Sequence, residues 1–375
     1  MPITRRLLST VAVATLAAAA LASGLPTSAL AADEIVIGAI LPLTGPAAPI
    51  GIEEQQGVQF AVDRANAAGG VDGRQIRVVF EDSQGKPDQA VLAFNRMVDL
   101  HDVPAILTAF SSVSIAIAPL ATRKEVLVVN PAAQTDKLEN ASPYLINTIP
   151  LVKDEAAVLV KFVEGKLGKT AAIIYENAAA GIDGRDDFRK PFEAAGGTIV
   201  AEEPVEFGQT NYRATLLKVA AAKPDFVYIA ITQGHDAFAD QVGQVAGFPV
   251  AVGNTFSRPF FGHASTKGWY QTAIQSGAAP ETEEAFKKQF GTKDMGFFAR
   301  EYSNSTDIIL TAAKHVLDAG GTLSGTSLRD AIFEIKDFKS PVAEISFTSN
   351  TAKRPVEIQQ YTDEGRETIG VGTAN

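Results

Sequence analysis

From Glu34 onward the chain alternates short β-branched runs with longer segments of helical period, the pattern of parallel strands joined by covering helices. "EIVIGAILPL" (34–43) reads as a buried strand leading into a loop. "GIEEQQGVQFAVDRANAAGG" (51–70) places Ile52, Val58, Ala61, Val62 and Ala65 at helical spacing, and Gly69-Gly70 supplies a left-handed stop. The same logic gives strands at 74–83, 104–110 and 125–131 and a helix at 87–100.

A joint falls near Thr148-Ile149-Pro150, and the cycle then restarts. Helices at 154–168, 186–197, 211–223 and 236–247 alternate with strands at 169–177, 198–205, 224–232 and 249–256, with Pro191 disturbing the second helix. "NAAGGVDGRQIRVV" (66–79) and "EAAGGTIVAEEPV" (193–205) echo each other; a shared helix-capping solution and a common origin account for this equally well. Two similar α/β sheets in series is the economical architecture. The tail reads as helices at 280–291, 297–321 and 327–335, then a hairpin-like pair, "EISFTSN" (344–350) with "RPVEIQQYTDEG" (354–365). It is expected to return over the first sheet and then cross back, joining the units by several passages of chain.

At 375 residues, with 46% apolar and 20% charged residues, the chain can bury two separate cores. The first 31 residues read as a signal peptide: Arg5 and Arg6 form a basic start, Leu7 to Leu21 an apolar stretch, and Ala29-Leu30-Ala31 a small-residue cleavage site. The stretch is diluted by Ala, Ser and Thr and broken by Gly24 and Pro26, short of the ~20 residues of a membrane span. Cleavage leaves 31 basic against 43 acidic residues, a net charge of −12, which argues against nucleic acid or anionic membrane as partner. The chain has no cysteine, hence no disulfide framework and no thiol for lipid attachment. A free monomer without direct membrane insertion is the expectation.

Enzyme signatures are near misses. "VEGKLGKT" (163–170) resembles a phosphate loop, but Val163 stands where the first glycine belongs and helix precedes strand. No GxGxxG follows the first strand and no GxSxG elbow occurs. His101, His235, His263 and His315 lie far apart, so no metal site is expected. An exported hydrolase would need a nucleophile beside a base, and no Ser–His pair falls in matching loops. The paired acids Glu53-Glu54 and Asp186-Asp187 read as solvated helix faces. No catalytic residue and no cofactor is therefore assigned.

Open α/β sheets bind ligands at the carboxyl ends of their strands. After "PAILTAF" the chain delivers Ser111 and Ser112 to a helix start, where unpaired backbone N–H groups favour an anion. Serine also caps helices, so each hydroxyl reads either way. After "EVLVVNP", Ala132 and Ala133 are small enough for a ligand to approach the backbone, and Gln134 offers both donor and acceptor.

"IVIGAILPLTGPAAPIGIEEQQGVQFAVDRANAAGGVDGRQIRVVFEDSQGKPDQAV" with "SSVSIAIAPLATRKEVLVVNPAAQTDKL" resembles the type I periplasmic binding proteins of the leucine/isoleucine/valine-binding family, over Glu34 to about Gly365. The resemblance implies two Rossmann-like α/β lobes joined by a three-segment hinge: lobe I at 33–149 with 278–346 and lobe II at 150–277 with 347–375. It also implies a periplasmic receptor that closes on a small-molecule ligand and delivers it to an inner-membrane ABC permease.

In amino-acid-binding members, the positions of Ser111, Ala132 and Ala133 hold the ligand carboxylate. The ammonium is held by a threonine, a tyrosine and an acid; here Gln134 occupies the threonine position, Ala180 the tyrosine position, and Asn254 or Thr255 stands where the acid would be. Burying an ammonium without an anion costs several kcal/mol, so neutral ligand oxygens fit better. Phe110, Tyr175, Phe256, Phe260 and Phe261 at lobe-facing strand ends could flank a flat ligand, and Gln233 joins the candidate contacts. The expected ligand is a carboxylate lacking an α-ammonium: an aromatic acid, or a 2-oxo acid with an aromatic or branched side chain. Three alternatives stay open: a branched-chain amino-acid receptor drawing its acid from Glu176, Asp183 or Asp236, an amide or urea receptor, and a sensor on the same fold.

Overall fold

The alternation folds into one parallel and one mainly parallel sheet, each covered by helices on both faces, with a small antiparallel sheet beside the first. The computed structural model describes residues 34–372 apart from Phe261 and the side chains of Arg258 and Pro259. The expected signal peptide (1–31) and Phe261 thus lie outside the described residues. The first sheet is built from β1 (Ile35–Leu41), α1 (Ala48–Ala67), β2 (Ile76–Asp82), α2 (Pro87–His101), β3 (Ala105–Thr108), α3 (Ser111–Lys124), β4 (Leu127–Asn130) and β5 (Leu145–Asn147). Its order is β2-β1-β3-β4-β5, all parallel. Leu-Ile-Asn of β5 is too short to carry a period and was not anticipated.

The second sheet uses α4 (Val152–Lys166), β6 (Thr170–Glu176), α5 (Ala179–Ala194), β7 (Thr198–Val205), α6 (Arg213–Ala222), β8 (Phe226–Ala230), α7 (His235–Val242), β9 (Ala251–Gly253) and β10 (Tyr270–Ile274). The chain then returns through α8 (Pro280–Phe290), α9 (Phe297–Asp318) and α10 (Gly325–Ile335) to β11 (Asp337–Lys339), β12 (Glu344–Phe347) and β13 (Ala352–Lys353). It ends with β14 (Val356–Tyr361) and β15 (Arg366–Gly372), and the second sheet runs β15-β14-β10-β9-β8-β6-β7.

The expected hairpin between 344–350 and 354–365 does not form. β12 pairs with β11 and β13, whereas β14 pairs antiparallel with β10 and β15. The edge of the unanticipated β10 takes β14, while Ile345 and Phe347 of β12 turn into the first core. Ala352 packs there too, so the chain leaves the first unit after Lys353, beyond the expected division at 346, which would cut β12.

Each sheet has a core on either face. Ile37, Leu107 and Val129 meet α1, α9 and α10, while Ile40, Ile106 and Val128 meet α2 and α3. In the second unit Ile174 and Ile229 pack under α6 and α7, and Ile173 and Tyr228 under α4 and α5. The helical face read for α1 holds at Val58, Ala61 and Val62, which are buried, but not at its first turn, where Ile52 is 47% exposed while Glu54 and Gly57 turn inward. Gly57 allows this, because a Cβ there would collide with the Ala299 carbonyl of α9.

The paired acids are likewise not solvated faces. Glu53 accepts from Phe298 N at 2.8 Å and Ala299 N at 3.2 Å, covering the first turn of α9, and Glu54 is 2% exposed. Asp186 accepts from Arg185 and Arg189 at 2.9 and 2.8 Å, and Asp187 is half-buried beside Asp136.

Three passages of chain connect the units, and Arg354 ties them together. Its guanidinium reaches Thr148 O at 3.4 Å on the first, Gln275 O at 2.6 Å on the second, and lies itself on the third. Glu301 of α9, fully buried, accepts from the same guanidinium at 2.5 and 3.1 Å.

Candidate functional site

Strand ends of both units converge on a cavity of about 250 Å³. At the end of β3, Phe110 holds φ 63° and ψ 141°, a backbone region that bulky residues rarely adopt. That turn aims its ring into the cavity and starts α3 directly at Ser111. Neither serine caps the helix, since the N-cap position belongs to Phe110 and makes no side-chain bond. Ser111, 7% exposed, instead accepts from Thr135 N at 3.4 Å, which joins the β3 and β4 loops. Ala132 and Ala133 lie on the wall, their loop held by Asn130, which accepts from Ala133 N at 2.8 Å.

From the second unit, α5 begins at Ala179, seven residues before the predicted start, and Ala178, Ala179 and Ala180 line the cavity. A run of alanines gives no capping signal, which is why this start was unreadable. Gly181 is required: a Cβ there would collide with the Glu176 carbonyl oxygen at the end of β6. The first turns of α3 and α5 therefore face one space from opposite units, and both offer N–H groups that their own helices leave unpaired.

The apolar wall is aromatic. Phe110 meets Phe207 edge-on at 5.9 Å, and Phe256 stacks on Phe298 at 6.1 Å and 15°, each pair spanning the two units. The acids Glu54 and Glu176 also line it. Burial pushes the Glu176 carboxyl up to about 7, against the pull of Thr232 Oγ1, which donates to it at 2.5 Å. Burial likewise pushes Glu54 well above the ordinary carboxyl range.

Of the residues predicted from sequence, Phe110, Ser111, Ser112, Ala132, Ala133, Gln134, Ala180 and Phe256 come together here. Four others do not. The hydroxyl of Tyr175 accepts from Arg185 at 3.1 Å and its ring packs in the second core, because neighbouring strand residues point to opposite faces and Glu176 takes the cavity side. Asn254 closes its own turn by accepting from Phe256 N at 3.1 Å. Thr255 is spent on Glu155, to which its N and Oγ1 both donate at 2.8 Å. Gln233, with Thr255 and Asp236, borders a neighbouring cleft of about 700 Å³ that meets the cavity at Thr232, Phe256 and Phe298. Phe260 is buried in the second core.

Sequence reading missed Glu54, Phe207, Thr232 and Phe298, and it named Glu176 only as an alternative acid. Asp183 lies at the seam, accepting from Thr135 Oγ1. Among the described residues no group of three or more His, Asp or Glu is placed to hold a metal ion, and no helix is long and apolar enough to cross a membrane.

Comparison with known proteins sets this geometry in a family. The Leu/Ile/Val-binding protein BraC3 of Rhizobium johnstonii is 30% identical over 212 residues, 56% of this chain and 58% of its own length. The chain thus spans 58% of the length of the first two curated relatives it matches. The leucine-, isoleucine-, valine-, threonine- and alanine-binding protein of Pseudomonas aeruginosa is 26% identical over 323 residues, 83% of this chain and 86% of the relative. A solute-binding protein of an ABC transporter from Rhodopseudomonas palustris, solved with 3,4-dihydroxybenzoic acid, has the same fold: TM-score 0.80 at 23% identity, over 91% of this chain and 98% of that one. The family model described as periplasmic binding protein matches residues 34–366, from just before β1 to the start of β15. A match of that extent takes in both units and the three passages between them, and the chain belongs to the periplasmic binding protein family.

Proposed function

We propose that this protein is the exported solute-binding component of an ATP-driven importer, and that residues 34–149 with 278–353 form one lobe and 150–277 with 354–372 the other. The lobes close on a small carboxylate with an aromatic or branched body and no α-ammonium. One observation carries the reading: two helix N-termini and four phenylalanines, Phe110, Phe207, Phe256 and Phe298, line a single cavity. The helix starts suit a carboxylate without a charged side chain to meet it. The rings suit a flat apolar body, which matches the dihydroxybenzoic acid held by the Rhodopseudomonas palustris protein. Ser111 and the Ala132-Ala133 backbone belong to the carboxylate end, and an inner-membrane permease is the partner.

A second reading rests on Glu176. Ionised, it would supply the anion that an α-ammonium needs, and the ligand would then be a branched-chain amino acid. Thermal unfolding of the mature protein, stripped of carried-over ligand, separates the two with a panel of benzoates, phenylpropanoids, leucine, valine, amides and urea. A binder a thousandfold above its dissociation constant adds about 4 kcal/mol, a shift of several degrees. Stabilisation by aromatic acids and none by leucine or valine is expected. The reverse selects the amino-acid reading, and no response to any carboxylate overturns both.

A further inference from the structure

Buried polar atoms without partners show what a cavity asks of its occupant, because each costs free energy until a complementary group arrives. Two line this one: Gln134 Oε1 and Glu54 Oε2 have no hydrogen-bond partner among the described residues, and their side chains belong to residues only 1% and 2% exposed.

The Gln134 amide has one orientation available. Its Nε2 donates to Pro150 O at 3.0 Å and to Glu155 Oε1. Both partners are acceptors, so turning the amide over would set its oxygen against a carboxylate and a carbonyl. Glu155 cannot give way, since it is also held by Thr255 N and Oγ1 and by Thr272 Oγ1. Gln134 is therefore a fixed acceptor towards the cavity, although glutamine as a residue type can do either.

Glu54 is less selective. Burial pushes its carboxyl well above the ordinary range, so Oε2 can meet either a donor or an acceptor. The choice between ligands therefore falls on Gln134.

We propose that the ligand carries a hydrogen-bond donor, a hydroxyl or amino group, close to its carboxylate, that the site rejects the oxo form of the same skeleton, and that Glu155 is the positioning residue behind this choice. The closeness follows from the loops: Gln134 adjoins Ala133, and Ser111 reaches the next residue, Thr135, at its N–H. An oxo group would set a second acceptor against the fixed Gln134 Oε1, whereas a hydroxyl or amino group satisfies it. The inference rests on the cavity being the carboxylate site.

The test measures binding of 3-phenyllactate, phenylpyruvate, 3-phenylpropanoate and phenylalanine by calorimetry, with 2-hydroxy-4-methylpentanoate and 4-methyl-2-oxopentanoate as the branched pair. A hydroxy acid about tenfold or more tighter than its oxo and unsubstituted forms is expected. Phenylalanine binding tightest of the first set also supports the inference and moves the function to the amino-acid reading. An oxo acid equal to or tighter than its hydroxy partner overturns the inference alone, and no binding of any carboxylate overturns it together with the reading of the cavity. Glu155→Gln, which removes one of the two acceptors fixing the Gln134 amide and supplies an amide N–H to a turned one, should bring the hydroxy-to-oxo ratio towards one in a protein that still unfolds cooperatively. If that variant does not fold, Gln134→Met removes the acceptor and should do the same; an unchanged ratio in either folded variant overturns the assignment.

Discussion

Glu176 holds its proton in the folded protein to about pH 7, against an ordinary value of 4.5, because burial disfavours its charge. Asp187 is pushed up further, to about 8 from 3.8, by burial and by Asp136 across the seam. Both folded values lie above the unfolded ones, so the stability these groups add is fully present below pH 3.8 to 4.5 and is lost as pH rises through 7 to 8. His235 works in the opposite direction, since burial lowers it from 6.5 to about 4, but only below 6.5. The thermal midpoint of the empty protein is therefore expected to fall between pH 6.5 and 8, and Glu176→Gln to flatten the start of that fall; a midpoint that rises across this interval contradicts the assignment. At this scale the sequence is legible only where local rules reach. Ser111, Ala132 and Ala133 follow from strand ends meeting helix starts. Glu54 and Tyr175 were misplaced because turning a helix by one position, or a strand by one residue, sends a side chain to the other face.

Many elements longer than about six residues were found close to their observed bounds, including α1, α2, β1, β2, β6 and β7, whereas α5 starts seven residues early. Those missed are mostly short: β5, β10, β11 and β13 have three, five, three and two residues, and only β15 has seven. Their identity comes from partners far along the chain, as β14 finds β10 rather than the nearer β12. The joint between units shows the same non-locality in a single residue. Arg354, 5% exposed, meets all three passages and the buried Glu301, and nothing around "TAKRPVEI" advertises that role. Arg354→Met should cost about 3–5 kcal/mol in urea unfolding, because Glu301 is left buried without a counter-charge. Arg354→Met with Glu301→Leu should recover most of that loss; a single variant as stable as the parent would show that the pair contributes nothing.

The whole molecule is expected to compact on binding, since a ligand shifts an open–closed equilibrium only by its preference for the closed form. The contacts that span the seam, Gln134 with Glu155, Thr135 with Asp183, and the two phenylalanine pairs, are those that closure would gather. X-ray scattering with a saturating ligand should show a smaller radius of gyration, and an unchanged one would count against a hinged receptor. The threefold passage also has a consequence for the order of synthesis. The first core needs Tyr302, Leu328 and Phe347 as well as Ile37, and the second needs Val356 and Ile358 as well as Ile173. The first core is incomplete before Phe347 and the second before Ile358, so neither unit should fold as an amino-terminal piece of the chain that stops short of them.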